Sequence, residues 1–308
     1  MKKPWQFFLP LIPLGILLTI LFHFSPFSGS SLSPLPSLSP ASSQAQSPPS
    51  IVQYQKHSLP QTDLHTLSIP AEHLSRLTLA VADSLQTVSE FAQSSGAIAV
   101  LNAGFFDPQN QKSTSFITLQ ETLVADPRTN ERLMENPKLT PYLDQILNRT
   151  ELRRYQCQST DPQAVIRLDI VRHQAPTPTN CQTIDAIGAG PQLLPALTLE
   201  EEAFVDRSTG RDAIGSQQAN ARTAIGLTST GTLIWVLVAQ KSTDPTTSGL
   251  TLEQLADWLK TQDIVQALNL DGGSSSSLYY QGQTFYGKVN GEGDRVIRPV
   301  KSVLLLKL

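Results

Sequence analysis

The stretch ALNLDGGSSSSLYY, residues 267–280, decides how the chain reads. Ala267, Leu268 and Leu270 make a short apolar run, Asp271-Gly272-Gly273 makes a turn, and four serines lead into Tyr279 and Tyr280. A linker needs no apolar run before it, and a plain hairpin needs no serines. The stretch therefore predicts a buried strand that carries a carboxylate to its end and opens into a permissive turn rich in donors.

The flanks extend this pattern. Upstream, TLEQLADWLKTQ (251–262) predicts a helix, with Thr251 and Gln254 spaced as a capping box and Leu252, Leu255, Ala256 and Leu259 on one face. Before it, ARTAIGLTSTGTLIWVLVAQ (221–240) predicts a hairpin of strands at 223–228 and 232–239. Downstream, SVLLLKL closes the chain as a strand. Near the start of the globular part, SRLTLAVAD alternates into a helix carrying Val88, Phe91 and Ala92, with Gly96 as its C-terminal cap. A buried strand at 97–101 follows and breaks at Asn102. AVIRLDIVRH (164–173) alternates as a half-buried strand. Strands joined mostly by hairpins, with a few packed helices, give the α+β class: mixed, mostly antiparallel sheets in a single catalytic domain.

Residues 127–156 are charged and broken by Pro137 and Pro141, and predict a surface insertion, helical in pieces. Within them, the triplet at 148–150 matches a glycosylation acceptor.

The chain has 308 residues, 40% of them hydrophobic, and a formal net charge of −3. It is long enough for a sizeable core, and without a basic stripe it is not expected to bind nucleic acid. Lys2 and Lys3 precede an apolar run at 5–24, so residues 1–24 read as an export signal or membrane anchor, with retention as an anchor favoured. The Ser/Pro-rich residues 25–50 read as an extended spacer, which leaves 51–308 as the domain on the periplasmic or extracellular side. In that compartment the two cysteines, Cys157 and Cys181, are expected to form a disulfide rather than remain thiols. The five histidines are scattered and form no metal-binding pair.

Four glycine-bearing turns lie near strand ends: 102–107 (NAGFFD), 188–191 (GAGP), 221–226 (ARTAIG) and 269–277 (NLDGGSSSS). Each alone is explained by good turn chemistry. In this order, with the helix at 252–256 and Arg298-Pro299-Val300, the set resembles the phosphodiester glycosidase family over roughly 98–308. Two positions depart from the family pattern, Ala103 and Ala189, each small in place of glycine. The 107–127 segment also lacks the further glycines usual there.

The resemblance implies hydrolysis of the bond between a sugar's anomeric carbon and the phosphate of a phosphodiester. A phosphate leaving group needs little proton donation but does need positive charge on its oxygens, and Arg222 offers a planar fork for that task. A water attacking the sugar carbon needs a carboxylate as base or electrostatic stabiliser, which the opening stretch assigns to Asp271. Gly272 and Gly273 let backbone N–H groups approach an anion, and Ser274 and Ser275 supply donors. Asn102, Gly104, Phe106, Gly190 and Thr223 are the further expected substrate contacts.

No cofactor is required, although Asp107 and Asp271 together are candidates for a divalent cation. The expected partners are a sugar-phosphate or polysaccharide substrate and, through the N-terminal segment, a membrane. Two other functions fit the same residues: a polysaccharide-binding envelope protein without turnover, and a metal-dependent phosphodiesterase that attacks phosphorus.

Overall fold

The run LIWVLVA is apolar at every position because both of its faces are covered. Leu233, Trp235 and Leu237 enter the main core, while Val236 and Val238 pack beneath a helix on the opposite side. The structure, a computed structural model, describes residues 52–158 and 165–307.

The chain begins with β1 (Gln53–Leu59), β2 (Thr62–Ile69) and β3 (Leu77–Gln86), then helix α1 (Val88–Ser95) and β4 (Ala99–Asn102). A hairpin of β5 (Ile117–Leu119) and β6 (Thr122–Ala125) leads to two short helices, α2 (Glu131–Met134) and α3 (Leu143–Ile146). The middle holds β7 (Thr150–Cys157), β8 (Val165–Arg172), β9 (Cys181–Gly188), β10 (Gln192–Leu194) and the two-residue strands β11 (Val205–Asp206) and β12 (Arg211–Asp212). The last part comprises β13 (Arg222–Thr228), β14 (Leu233–Ala239), α4 (Leu252–Lys260), β15 (Ile264–Asn269), β16 (Ser277–Tyr280), β17 (Gln283–Tyr286) and β18 (Val300–Leu306).

Three larger sheets result, with strand orders β1-β2-β14-β13-β15-β10, β17-β16-β4-β18-β3 and β6-β5-β9-β7-β8. The strand pairings of all three are antiparallel. The expected α+β architecture is thus the observed one. Leu67, Trp235 and Leu268 of the first sheet, Leu101 and Leu304 of the second, and Leu152 and Ile187 of the third share one buried cluster. Helix α4 covers the outer face of the first sheet through Leu252, Leu255, Ala256 and Leu259. Helix α1 covers the second sheet through Val88, Phe91 and Ala92, and ends at Gly96 as expected. Both helices carry full capping boxes, Thr87 with Glu90 and Thr251 with Gln254.

The insertion expected at 127–156 is corrected in its last part. Short helical turns do occupy 127–146, but Thr150–Cys157 is β7, an interior strand of the third sheet between β9 and β8. Its charges look superficial in sequence because Asp185 and His173, which pair with Arg154 and Glu151, are distant in the chain. Arg153 bonds Glu151 at 2.6 Å and Arg154 meets Asp185 at 2.5 Å, and each of these side chains is largely buried. Buried charges are retained where they are paired in this way. Cys157 and Cys181 lie opposite one another across β7 and β9 and are joined by a disulfide.

The apolar run 5–24 and the spacer 25–50 lie outside the described residues. Among the described residues, no helix is long and apolar enough to cross a membrane.

Leu255 is fully buried under α4, so Leu255→Ala is expected to cost about 2–5 kcal/mol. Thr251→Ala removes only the cap and is expected to cost about 1 kcal/mol. Urea unfolding of both variants checks the ranking.

Candidate active site

Strand β15 runs through the core and delivers Asn269, Leu270 and Asp271 to its end. The chain then turns through Gly273, whose φ of +59° lies in the left-handed region, into a single 3-10 turn at Gly273–Ser275. Asp271 N–H donates to the Ala103 carbonyl at 2.8 Å, so the turn is tied to the end of β4. Asn102, fully buried, completes the tie. Its Nδ2 donates to the Asp271 carbonyl at 2.6 Å, and its Oδ1 accepts from Thr223 Oγ1 at 2.8 Å and from Ser277 N–H at 2.9 Å.

Asn269 fastens the neighbouring turn. Its Nδ2 donates to the Gly190 carbonyl at 2.9 Å, and backbone bonds join Gly190 N–H to Asn269 and Asn269 N–H to Pro191. Gly190 has φ +110°, and a Cβ there would lie 2.5 Å from Glu202 Oε2 and 2.8 Å from the Phe204 ring. Gly104 packs equally closely: its N–H donates to Ser302 Oγ at 3.1 Å, and a Cβ would meet the Gly188 carbonyl at 3.1 Å. Strand ends from all three sheets therefore converge here.

Asp271 reaches the surface in part, yet its carboxyl sits deep enough that burial pushes its pKa up to about 6. The Ser275 hydroxyl, the charge of Arg298 and the Gly272 N–H act in the opposite direction. Arg298 Nη1 donates to Ser274 Oγ at 2.8 Å, and its guanidinium lies 5.2 Å from the centre of the Phe106 ring. On the other flank, Lys288 Nζ donates to Asn220 Oδ1 at 3.0 Å, and a Cβ on Gly273 would lie 3.9 Å from Asn220 Nδ2. Burial and the nearby Arg222 charge lower the Lys288 pKa. Among the described residues, neither Arg298 nor Lys288 is ion-paired to a carboxylate. Both cations are thus available to an anion at this turn.

Arg222, expected to grip phosphate, is placed differently. It is 3% exposed, and its guanidinium donates to the carbonyls of Leu250, Ile214, Gly215 and Gln218. Four of its five N–H groups are committed to backbone. Burial lowers its pKa to about 10, against the opposing charge of Asp212. The geometry makes Arg222 a clamp on the loop at 214–218.

Several of the residues expected as contacts hold the scaffold of the site. Asn102, Thr223, Gly104 and Gly190 are buried and hold the turns in place, while Phe106 is a platform under Arg298. Gly273 gives its N–H to the Ala221 carbonyl. Asp271, Gly272, Ser274 and Ser275 do gather in one turn, where the Ser275 hydroxyl bonds the Asp271 carboxyl. Asp107 does not join Asp271 in a cation site: its carboxylate accepts from Gln109 N–H and pairs with Arg132 at 2.8 Å. No group of three or more metal-ligating side chains occurs among the described residues.

Sequence reading assigned no task to Arg298, although its motif was visible, nor to Lys288. It also passed over His173, whose Nδ1 bonds the buried Glu151 at 2.8 Å and whose ring stacks on Phe116 at 3.8 Å. Glu151 lies opposite Gly188 in the β7–β9 pairing, which brings this pair beside the convergent turns.

The antiparallel α+β fold brings strand ends of three sheets to a carboxylate turn flanked by Arg298 and Lys288. A phosphodiester glycosidase family model matches residues 95–307, and the chain belongs to that family. Among solved structures, it is similar to the catalytic domain of zebrafish N-acetylglucosamine-1-phosphodiester alpha-N-acetylglucosaminidase, auto-inhibited by its pro-peptide. That likeness covers 86% of this chain and 85% of that one, at 17% identity and a TM-score of 0.62. A hypothetical protein from Synechocystis is similar over 82% of this chain and 61% of its own, at 17% identity and a TM-score of 0.54. A Burkholderia pseudomallei protein described as exported is similar over 80% and 74%, at 15% identity and a TM-score of 0.56. At such identities the structural likeness is one of fold. No curated protein matches the chain.

Removing Arg222 strands several buried carbonyls, so Arg222→Ala is expected to destabilise the protein by roughly 3–5 kcal/mol. Arg298→Ala leaves no such debt and is expected to change stability by less than about 1 kcal/mol. Denaturant unfolding of the two variants distinguishes clamp from free cation.

Proposed function

We propose that the protein hydrolyses the bond between the anomeric carbon of a sugar and the phosphate of a phosphodiester, in a glycan or glycolipid outside the cytoplasm. The observation that carries this reading is the Asp271 carboxyl, its pKa raised to about 6 and placed beside Arg298, which among the described residues has no carboxylate ion-pair partner. Family membership supports the reaction type. The disulfide and the likeness to a protein described as exported support the compartment, with residues 1–24 as signal or anchor.

In this mechanism Arg298 and Lys288 hold the phosphate oxygens, and the Ser274 hydroxyl, which already accepts from Arg298, donates its proton to the same group. As the bond from carbon to the bridging oxygen breaks, its electron pair leaves on the phosphate. The sugar carbon develops positive charge, which the ionised Asp271 stabilises. A water then bonds to that carbon and passes a proton to Asp271, which releases it to solvent. The products are a free sugar and a phosphate monoester, or its phosphorylated equivalent.

Hydrolysis of UDP-N-acetylglucosamine and of a simple alkyl N-acetylglucosamine-1-phosphodiester in ¹⁸O-labelled water tests the reaction. Label in the released sugar is expected; label in the phosphate would establish attack on phosphorus instead. Asp271 acts ionised, so kcat/KM is expected to rise with pH through about 6 and level off above it. Asp271→Asn is expected to lose this limb together with most activity, and Arg298→Ala to lose roughly 100-fold in kcat/KM.

A further inference from the structure

A second cleft lies where the edges of two sheets meet. Strand β1 borders the six-stranded sheet and β17 borders the five-stranded sheet that contains β4. The cleft between them has a volume of about 410 Å³ and is lined by Tyr54, His65, Phe285 and Arg295, with Lys56 and Thr284 among the remaining residues. This is within the range of small-ligand sites, about 300–1,000 Å³.

Aromatic rings form one wall. Tyr54 stacks on Phe285 at 5.5 Å and on Tyr280 at 5.8 Å, and His65 lies 4.4 Å from Phe285. His65 is only 7% exposed, and its Nδ1 bonds the Tyr54 hydroxyl at 2.7 Å. Burial, reinforced by the charge of Lys56, lowers the His65 pKa to about 4, so the ring is neutral at neutral pH. Nδ1 and the Tyr54 hydroxyl share this hydrogen bond, so Nε2 is the ring's remaining polar nitrogen. Nε2 has no protein partner among the described residues, although Nδ1 does. A polar ring nitrogen is therefore left for a ligand in the cleft that His65 lines.

The rim adds both donors and acceptors. Arg295 is mostly exposed and donates to the Gly287 carbonyl at 3.1 Å, and among the described residues no carboxylate is ion-paired to it. Lys56 and Asp63 form a pair at 2.9 Å. Flat apolar rings beside a neutral imidazole, a planar cation and a carboxylate suit a polyhydroxylated ring, which offers an apolar face and alternating hydroxyls on its edge. Asp271 follows β15, four strand positions from β1, which is roughly 19 Å at about 4.8 Å per strand.

We propose that this cleft is a second glycan-binding site, which holds one or two sugar rings of a chain away from the candidate active site. The proposal does not depend on turnover at Asp271, because binding is measured without it.

The test uses the full chain and four probes: chitotetraose, maltotetraose, cellotetraose and tetragalacturonate. Binding is followed by saturation-transfer NMR and isothermal titration, in wild type and in Asp271→Asn. At least one probe is expected to bind both forms equally, and Arg295→Ala and His65→Phe are each expected to weaken it at least fivefold. Arg295 is exposed, so its variant remains informative if His65→Phe fails to fold. Three results would overturn the proposal: no binding of any probe, binding that Arg295→Ala leaves unchanged, or binding that disappears in Asp271→Asn.

Discussion

The site depends on the side-chain amide of Asn102. With no exposure to solvent, it accepts from Thr223 and from the Ser277 backbone and donates to the Asp271 carbonyl. These three bonds join β4, β13 and the turn after β15, elements that belong to two different sheets. A hydroxyl or an apolar group at this position would leave buried backbone groups unpaired, at a cost of about 1–3 kcal/mol each. The placement of Asp271 is thus fixed by a side chain that never touches solvent.

That rigidity has a consequence for stability. A carboxyl whose pKa is raised by burial binds its proton more tightly in the folded state than in the unfolded one. Between the ordinary carboxylate range and about 6, the folded protein therefore holds more protons, and stability falls as pH rises through this window. The protein tolerates this loss at a turn flanked by Arg298 and Lys288, neither of which is ion-paired to a carboxylate among the described residues. A structural carboxylate is normally arranged the other way, as in Asp206, whose bonds to Ser208, Tyr142 and Thr209 lower its pKa.

Much of the architecture was legible in the sequence because periodicity and capping are local. Helix α4, its capping box and the β13–β14 hairpin all follow from the spacing of apolar residues and from Thr251 and Gln254. The turns of the site were legible as well, but the division of labour within them was not. Arg222 sits in a conspicuous motif, yet its guanidinium is consumed by a loop that only the fold brings near. Arg298 becomes available because Phe106, almost two hundred residues earlier, supports it. Likewise, β7 read as surface because burial of its charges depends on Asp185 and His173, which pair with Arg154 and Glu151 from outside any local window.

The central claim is that burial, set by the Asn102 tie, raises the Asp271 pKa to about 6 beside Arg298. The most direct measurement is a pH titration of the Asp271 carboxyl carbon by ¹³C NMR, with Asp271→Asn used for assignment. The account predicts a midpoint of about 6. A midpoint in the ordinary aspartate range, near 4, would contradict it.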